Sequence, residues 1–96
     1  VLEHMAETPG YGVFHLDGQA VMLEDYLRIR PEKEEELGEL LRSGRLVAGP
    51  WFCMPDLWLV SGEALIRNFN RGMDSIGGFG AKAAAVAYTP DLFGHI

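Results

Sequence analysis

Three short apolar runs, each fenced by glycine, proline or a turn pair, alternate along the chain with segments whose apolar residues recur at a helical period. The runs are residues 11–16, 46–49 and 83–88. Strands that are apolar throughout need cover on both faces. The order strand, helix, strand, helix, strand is that of parallel strands joined by crossover helices. Three strands alone would leave an open sheet with unpaired edges, and a unit of 96 residues built this way would be marginal. The alternation predicts an α/β fold: a partial parallel βαβαβ segment of a larger barrel or doubly wound sheet, with residues 1–96 all in one domain.

The connecting segments carry their own signals. Residues 1–8 read as the end of a helix closed by Pro9-Gly10. Residues 19–29 read as a helix with Val21, Met22, Tyr26 and Ile29 on one stripe. Pro31 suits the first turn of a second helix, and Glu32, Glu34, Glu35 and Glu36 crowd its positive end. Leu37, Leu40 and Leu41 form that helix's apolar stripe, and Gly44 stops it. Ser61 is a good N-cap for a third helix, buried through Leu65, Ile66, Phe69 and Met73 and ended by Gly77-Gly78 and Gly80. The run Ala83-Ala84-Ala85-Val86-Ala87-Tyr88 is rich in a poor strand former, so burial would have to hold it as a strand.

Charge narrows the partners. Eight Lys and Arg against fourteen Asp and Glu give a net charge of −6, which argues against a nucleic-acid backbone or an anionic membrane surface as partner. No apolar run approaches the roughly 20 residues that span a bilayer. The start, Val1-Leu2-Glu3-His4, has neither an initiating Met nor the pattern of a signal peptide, so the chain reads as an internal piece of a longer, cytoplasmic protein. The lone Cys53 excludes an intrachain disulfide and fits a reducing compartment; it reads as a small buried hydrophobe.

In parallel α/β folds, chemistry gathers at the carboxyl ends of the strands. The first run ends in Asp17-Gly18-Gln19, the second in Trp51-Phe52 and then Asp56, the third in Asp91-Leu92-Phe93. Each end thus supplies a carboxylate, two of them beside an aromatic ring. Carboxylates serve as nucleophile, acid, base or metal ligand, and rings offer sugars a flat apolar face. Without a basic cluster, the set suits a neutral polyhydroxyl substrate, although an aspartate after a strand is often only a turn former or helix cap. Asp17 and Trp51 are the candidate substrate contacts at the first two ends. Among the histidines, His15 reads as a packed strand residue, His4 is uninformative, and His95 is either a ligand or a partner that orients one. The chain has no His-x-Asp or His-x-x-x-His pair, so a complete zinc site cannot be built from it. Gly77-Gly78-Phe79-Gly80 precedes a strand instead of following one, and reads as a turn, not a phosphate loop.

Nearly end to end, the chain resembles glycoside hydrolase family 38, the retaining α-mannosidases, and within it the bacterial branch that includes mannosylglycerate hydrolases. The resemblance runs through Leu16-Asp17-Gly18-Gln19, Leu23-Glu24-Asp25-Tyr26-Leu27, Arg30-Pro31-Glu32, Gly44-Arg45-Leu46, Gly49-Pro50-Trp51 and Ser61-Gly62-Glu63-Ala64-Leu65-Ile66-Arg67-Asn68, and closes on Pro90-Asp91-Leu92-Phe93-Gly94-His95. It implies a catalytic domain built as a seven-stranded (β/α) barrel with one zinc ion. It makes Asp91 both nucleophile and zinc ligand, and gives Phe93 a part in shaping the sugar pocket. The family's His-x-Asp pair, its further histidine ligand and its acid/base aspartate would all lie outside these residues, so residues 1–96 alone are expected to be inactive. One departure stands out: the family's loop after Trp51 usually carries an Asp-Glu pair, whereas Asp56 is followed here by Leu57. Two other readings of the residues stay open at this point. One is a different metal-dependent barrel hydrolase acting on sugars; the other is a non-catalytic carbohydrate-binding remnant.

Overall fold

Two strands lie side by side and parallel: β1 (Phe14–His15) pairs with β2 (Leu46–Val47) in the register Phe14 to Leu46 and His15 to Val47. The computed structural model describes residues 2–90. Around the strands the order is α1 (Leu2–Glu7), a 3₁₀ turn at Pro9–Tyr11, β1, α2 (Val21–Ile29), a 3₁₀ turn at Pro31–Lys33, α3 (Glu34–Arg42), β2 and α4 (Gly62–Gly77). This is the α/β order expected from the sequence, with two strands formed among the described residues instead of three.

The core explains the arrangement. Met5 of α1, Leu23 of α2, Leu37, Leu40 and Leu41 of α3, Leu46 of β2 and Ile76 of α4 form one buried cluster with Ala20 and Ala48. Each fully buried Leu or Ile contributes roughly 1.5–3 kcal/mol relative to exposure. Phe14 and Leu16 pack against the same cluster, while His15 between them is exposed. That is the period-2 alternation of a strand with one face covered, and it corrects the expectation that His15 is packed. Arg45 joins the layers at their edge: its Nη2 donates at 2.6 Å to the carbonyl oxygen of Met5, in the last turn of α1, and at 2.9 Å to that of Thr8, which also accepts from Tyr11 N.

The helix signals are met in α3 and only partly elsewhere. Leu37, Leu40 and Leu41 are buried as expected, and Gly44 follows the helix at φ 77°. Pro31 opens a 3₁₀ turn ahead of α3 instead of the helix itself. In α2 the buried residue is Leu23, whereas Met22 and Ile29 of the expected stripe are exposed. In α4, Ser61 caps the helix, its Oγ accepting from Ala64 N at 3.1 Å. Its buried residues are Gly72 and Ile76; Ile66 and Met73 are exposed.

The expected third strand is absent among the described residues. Residues 81–90 have no regular structure; beside the sheet, Ala84 N donates to Ala48 O at 2.9 Å without extending into a strand ladder. The described residues place no strand on its outer side, and Val86 is 75% exposed. Ala83 packs against the core and Ala84 is half-buried, but residues 85–88 are exposed, so the burial that had to compensate for the weak strand propensity of alanine is missing over most of the run. Cys53 is also exposed, contrary to the buried reading, because its loop runs over the surface.

Candidate functional site

The carboxyl ends of β1 and β2 meet. Beyond the two strands, a further parallel bridge pairs Gln19 with Trp51. Leu16 N donates to Val47 O at 2.8 Å, and Ala20 N donates to Trp51 O at 2.8 Å, so both strand exits stay in step. Asp17 sits in the tight turn between them. It is exposed and takes φ 44°, a left-handed conformation that aspartate tolerates better than most residues. Gly18, at φ 72°, is buried beneath it, and a Cβ there would fall 3.2 Å from Tyr88 Cβ and 3.5 Å from Met54 Cε.

The third segment comes to the same end. Trp51 Nε1 donates to Tyr88 O at 3.1 Å. Trp51 is only 7% exposed, and its ring meets Phe69 of α4 edge-on at 5.7 Å between centroids. The expected sugar platform is thus mostly packed, with Leu65, Ile66, Phe69 and Asn70 beside it around a shallow apolar depression. On the sheet face away from the core, His15, Val47, Ala84, Ala85, Val86 and Tyr88 line a second open depression.

The loop leaving β2 is held from two sides. Asn68 Oδ1 accepts from the backbone N–H groups of Phe52 and Cys53, both at 2.9 Å, and Asn68 Nδ2 donates to Cys53 O at 2.7 Å. From the β1 side, Gln19 Oε1 accepts from Met54 N at 3.0 Å. Arg71 lies 4.7 Å above the Phe52 ring centroid and pairs with Glu24 of α2 at 2.6 Å. Farther along, Asp56 Oδ1 accepts from Trp58 N at 3.0 Å, the turn-forming role open to any aspartate after a strand.

The residues singled out in the sequence therefore divide. Asp17 and Trp51 are brought to one end of the sheet, with Tyr88 against them. Asp91 and Phe93 lie outside the described residues, as does His95. Among the described residues no three His, Cys, Asp or Glu side chains converge, so they do not themselves form a metal cage. No helix among them is long and apolar enough to cross a membrane. Asn68 and Gly72 were not singled out in the sequence. The available signal was a glycine in a helix interior, which costs about 1 kcal/mol against alanine and so points to a packing reason.

Parallel strands whose carboxyl ends converge on a loop-built surface define an α/β segment of the kind that carries enzyme sites. The profile of the "Glycosyl hydrolases family 38 N-terminal domain" matches residues 1–96. A curated relative from Halalkalibacterium halodurans, named "Putative mannosylglycerate hydrolase", is 48% identical over 94 residues, covering 98% of this chain and 10% of the relative. Two crystal structures from Enterococcus faecalis are similar. A protein in glycosyl hydrolase family 38 superposes with a TM-score of 0.85 at 37% identity, covering 94% of this chain and 11% of that one. An alpha-mannosidase superposes with a TM-score of 0.78 at 36% identity, covering 85% and 9%. The chain belongs to glycosyl hydrolase family 38 and lies within its N-terminal domain. It spans about a tenth of the length of these relatives.

Proposed function

We propose that the protein is a retaining α-mannosidase acting on α-mannosides such as mannosylglycerate or mannosyl glycans, with Asp91 as its nucleophile. The observation that carries this reading is the hydrogen bond from Trp51 Nε1 to Tyr88 O. It draws the segment that leads into Asp91 to the end of the sheet where Asp17 and the loop after Trp51 already meet. Membership of the family and the relatives' names support the substrate class.

In this mechanism the Asp91 carboxylate attacks the anomeric carbon of the mannoside and the bond to the leaving oxygen breaks. An acid group contributed from outside these residues protonates that oxygen. Water then releases mannose from the resulting ester, so the anomeric configuration is retained. Asp17 is proposed to hydrogen-bond sugar hydroxyls, Trp51 to offer the small exposed part of its ring, and Phe93 to shape the pocket. A zinc ion is proposed with Asp91 as one ligand and the others outside these residues; a bound cation would favour the ionised carboxylate. The open face bearing His15 and Val47 supports closure of the sheet into a seven-stranded (β/α) barrel. A cytoplasmic location and a mannose-containing carbohydrate as the partner complete the reading.

The stereochemical claim is tested by proton NMR of a fresh digest of an aryl α-mannoside by the full-length protein. The α-anomer should be released first; initial release of the β-anomer would rule out retention.

A further inference from the structure

We propose that Asn68 is a positioning residue that clamps the loop leaving β2 and thereby sets substrate affinity. This rests on the reading of that loop, through Trp51, as a wall of the mannoside site. Three hydrogen bonds from one side-chain amide converge on two consecutive residues. Oδ1 accepts from Phe52 N and Cys53 N at 2.9 Å each, and Nδ2 donates to Cys53 O at 2.7 Å. An amide is the side chain that accepts and donates from one planar group, so it satisfies both sides of the Cys53 peptide region. A carboxylate would accept but not donate, and an aliphatic side chain would do neither.

The helix that carries Asn68 is shaped for this contact. One turn later, Gly72 has no Cβ, and a Cβ there would fall against Pro50 O, 2.5 Å from Trp51 C and 2.6 Å from Phe52 N. The absence of that atom lets the backbone of residues 50–52 lie directly on α4, which puts Phe52 and Cys53 within reach of the amide. Arg71 steadies the Phe52 ring from the same helix and is tied to α2 by Glu24, which also accepts from Ser75 Oγ at 3.2 Å. Trp51 immediately precedes the clamped residues, and its ring rests on Phe69, the neighbour of Asn68 in sequence. Freeing residues 52–53 would weaken the substrate contact along the loop, while Trp51 itself stays held by Ala20 N, the Phe69 ring and Tyr88 O, so the segment leading towards the nucleophile keeps its place. That is a loss of binding common to ground and transition states, which raises KM and leaves kcat alone.

The test uses Asn68→Ala and Asn68→Asp in the full-length protein, read by kinetics on an aryl α-mannoside and by hydrogen exchange. Asn68→Ala should raise KM about tenfold with kcat within about twofold. The Cys53 amide should exchange about tenfold faster, and the Phe52 amide, which also donates to the Asn68 backbone oxygen at 3.2 Å, by less, with β2 and α3 unchanged. Asn68→Asp keeps both accepting bonds and loses the donated one, so it should fall between. It should recover towards wild type as pH falls and the introduced carboxyl gains a proton to donate to Cys53 O. Unchanged exchange at Phe52 and Cys53 overturns the clamp. Faster exchange spread over β2 and α3 reduces Asn68 to a general structural role, and a freed loop with unchanged KM removes its link to substrate. If Asn68→Ala does not fold, the aspartate variant and its pH response carry the test. Wild-type protein without α-mannosidase activity would contradict the functional reading instead, and the exchange data would still decide the clamp.

Discussion

The indole Nε1 of Trp51 donates to the carbonyl oxygen of Tyr88 at 3.1 Å, joining the exit of β2 to a segment 37 residues further along the chain. Tyr88 has no strand to hold it, and the residue is 48% exposed. The hydrogen bond and the close approach of Gly18 to Tyr88 Cβ hold it at the end of the sheet.

Replacing Trp51 with Phe keeps a ring against Phe69 and removes the donor. A hydrogen bond of this kind contributes about 1 kcal/mol, so Trp51→Phe should lower kcat/KM on an aryl α-mannoside roughly fivefold to tenfold through misplacement of the segment after Tyr88. Steady-state kinetics at constant protein concentration check this. Unaltered kinetics would mean that Tyr88 is held by other contacts.

Gly72→Ala should destabilise the protein although alanine is the better helix former. The propensity gain is about 1 kcal/mol, whereas forcing an atom into packed backbone costs about 1–3 kcal/mol or more. The added Cβ would meet three backbone atoms of residues 50–52, which cannot swing aside as a side-chain tip can. Gly62→Ala is the control, since nothing lies within 4 Å of a Cβ there. Thermal unfolding of the two variants should show a lower first transition for the former and no loss for the latter.

Ser61→Ala removes the cap of α4, whose Oγ accepts from Ala64 N. The expected loss is about 1 kcal/mol of stability with KM and kcat near wild type, because the cap lies a helical turn and more from Asn68. Denaturant unfolding followed alongside activity separates the two effects.

Arg71→Ala breaks the pair with Glu24 and uncovers the Phe52 ring. Arg71 is 52% exposed and Glu24 28%, so the pair is screened and worth about 1 kcal/mol or less. The effect on stability should shrink further as salt is raised. An effect that holds constant up to 1 M salt would assign the contribution to packing on Phe52.

Much of this arrangement was legible in the sequence, and the exceptions have physical causes. Ser61, Gly44 and the Leu37, Leu40, Leu41 stripe act locally, through a cap, a left-handed stop and one helix face. In α2 the apolar residues outnumber what one face can hold, so period alone could not choose Leu23 over Met22 and Ile29. In α4 two apolar stripes lie side by side. The approach of residues 50–52 to Gly72 selects the one with Ile76 and leaves Ile66 and Met73 outside. That approach depends on a loop distant in sequence, as do the bonds of Asn68. The convergence of the strand ends at Asp17 and Trp51 was legible because parallel α/β topology dictates it. The third strand was not, because its alanines form a strand only where neighbours bury them.

The central claim is that Asp91 is the nucleophile of an α-mannosidase. Full-length wild type and Asp91→Ala should be compared for turnover of an aryl α-mannoside and for bound zinc by elemental analysis. The account predicts measurable turnover and stoichiometric zinc in the wild type. In the variant it predicts loss of at least about 1000-fold in kcat together with weakened zinc retention. Near-normal turnover by Asp91→Ala would contradict it.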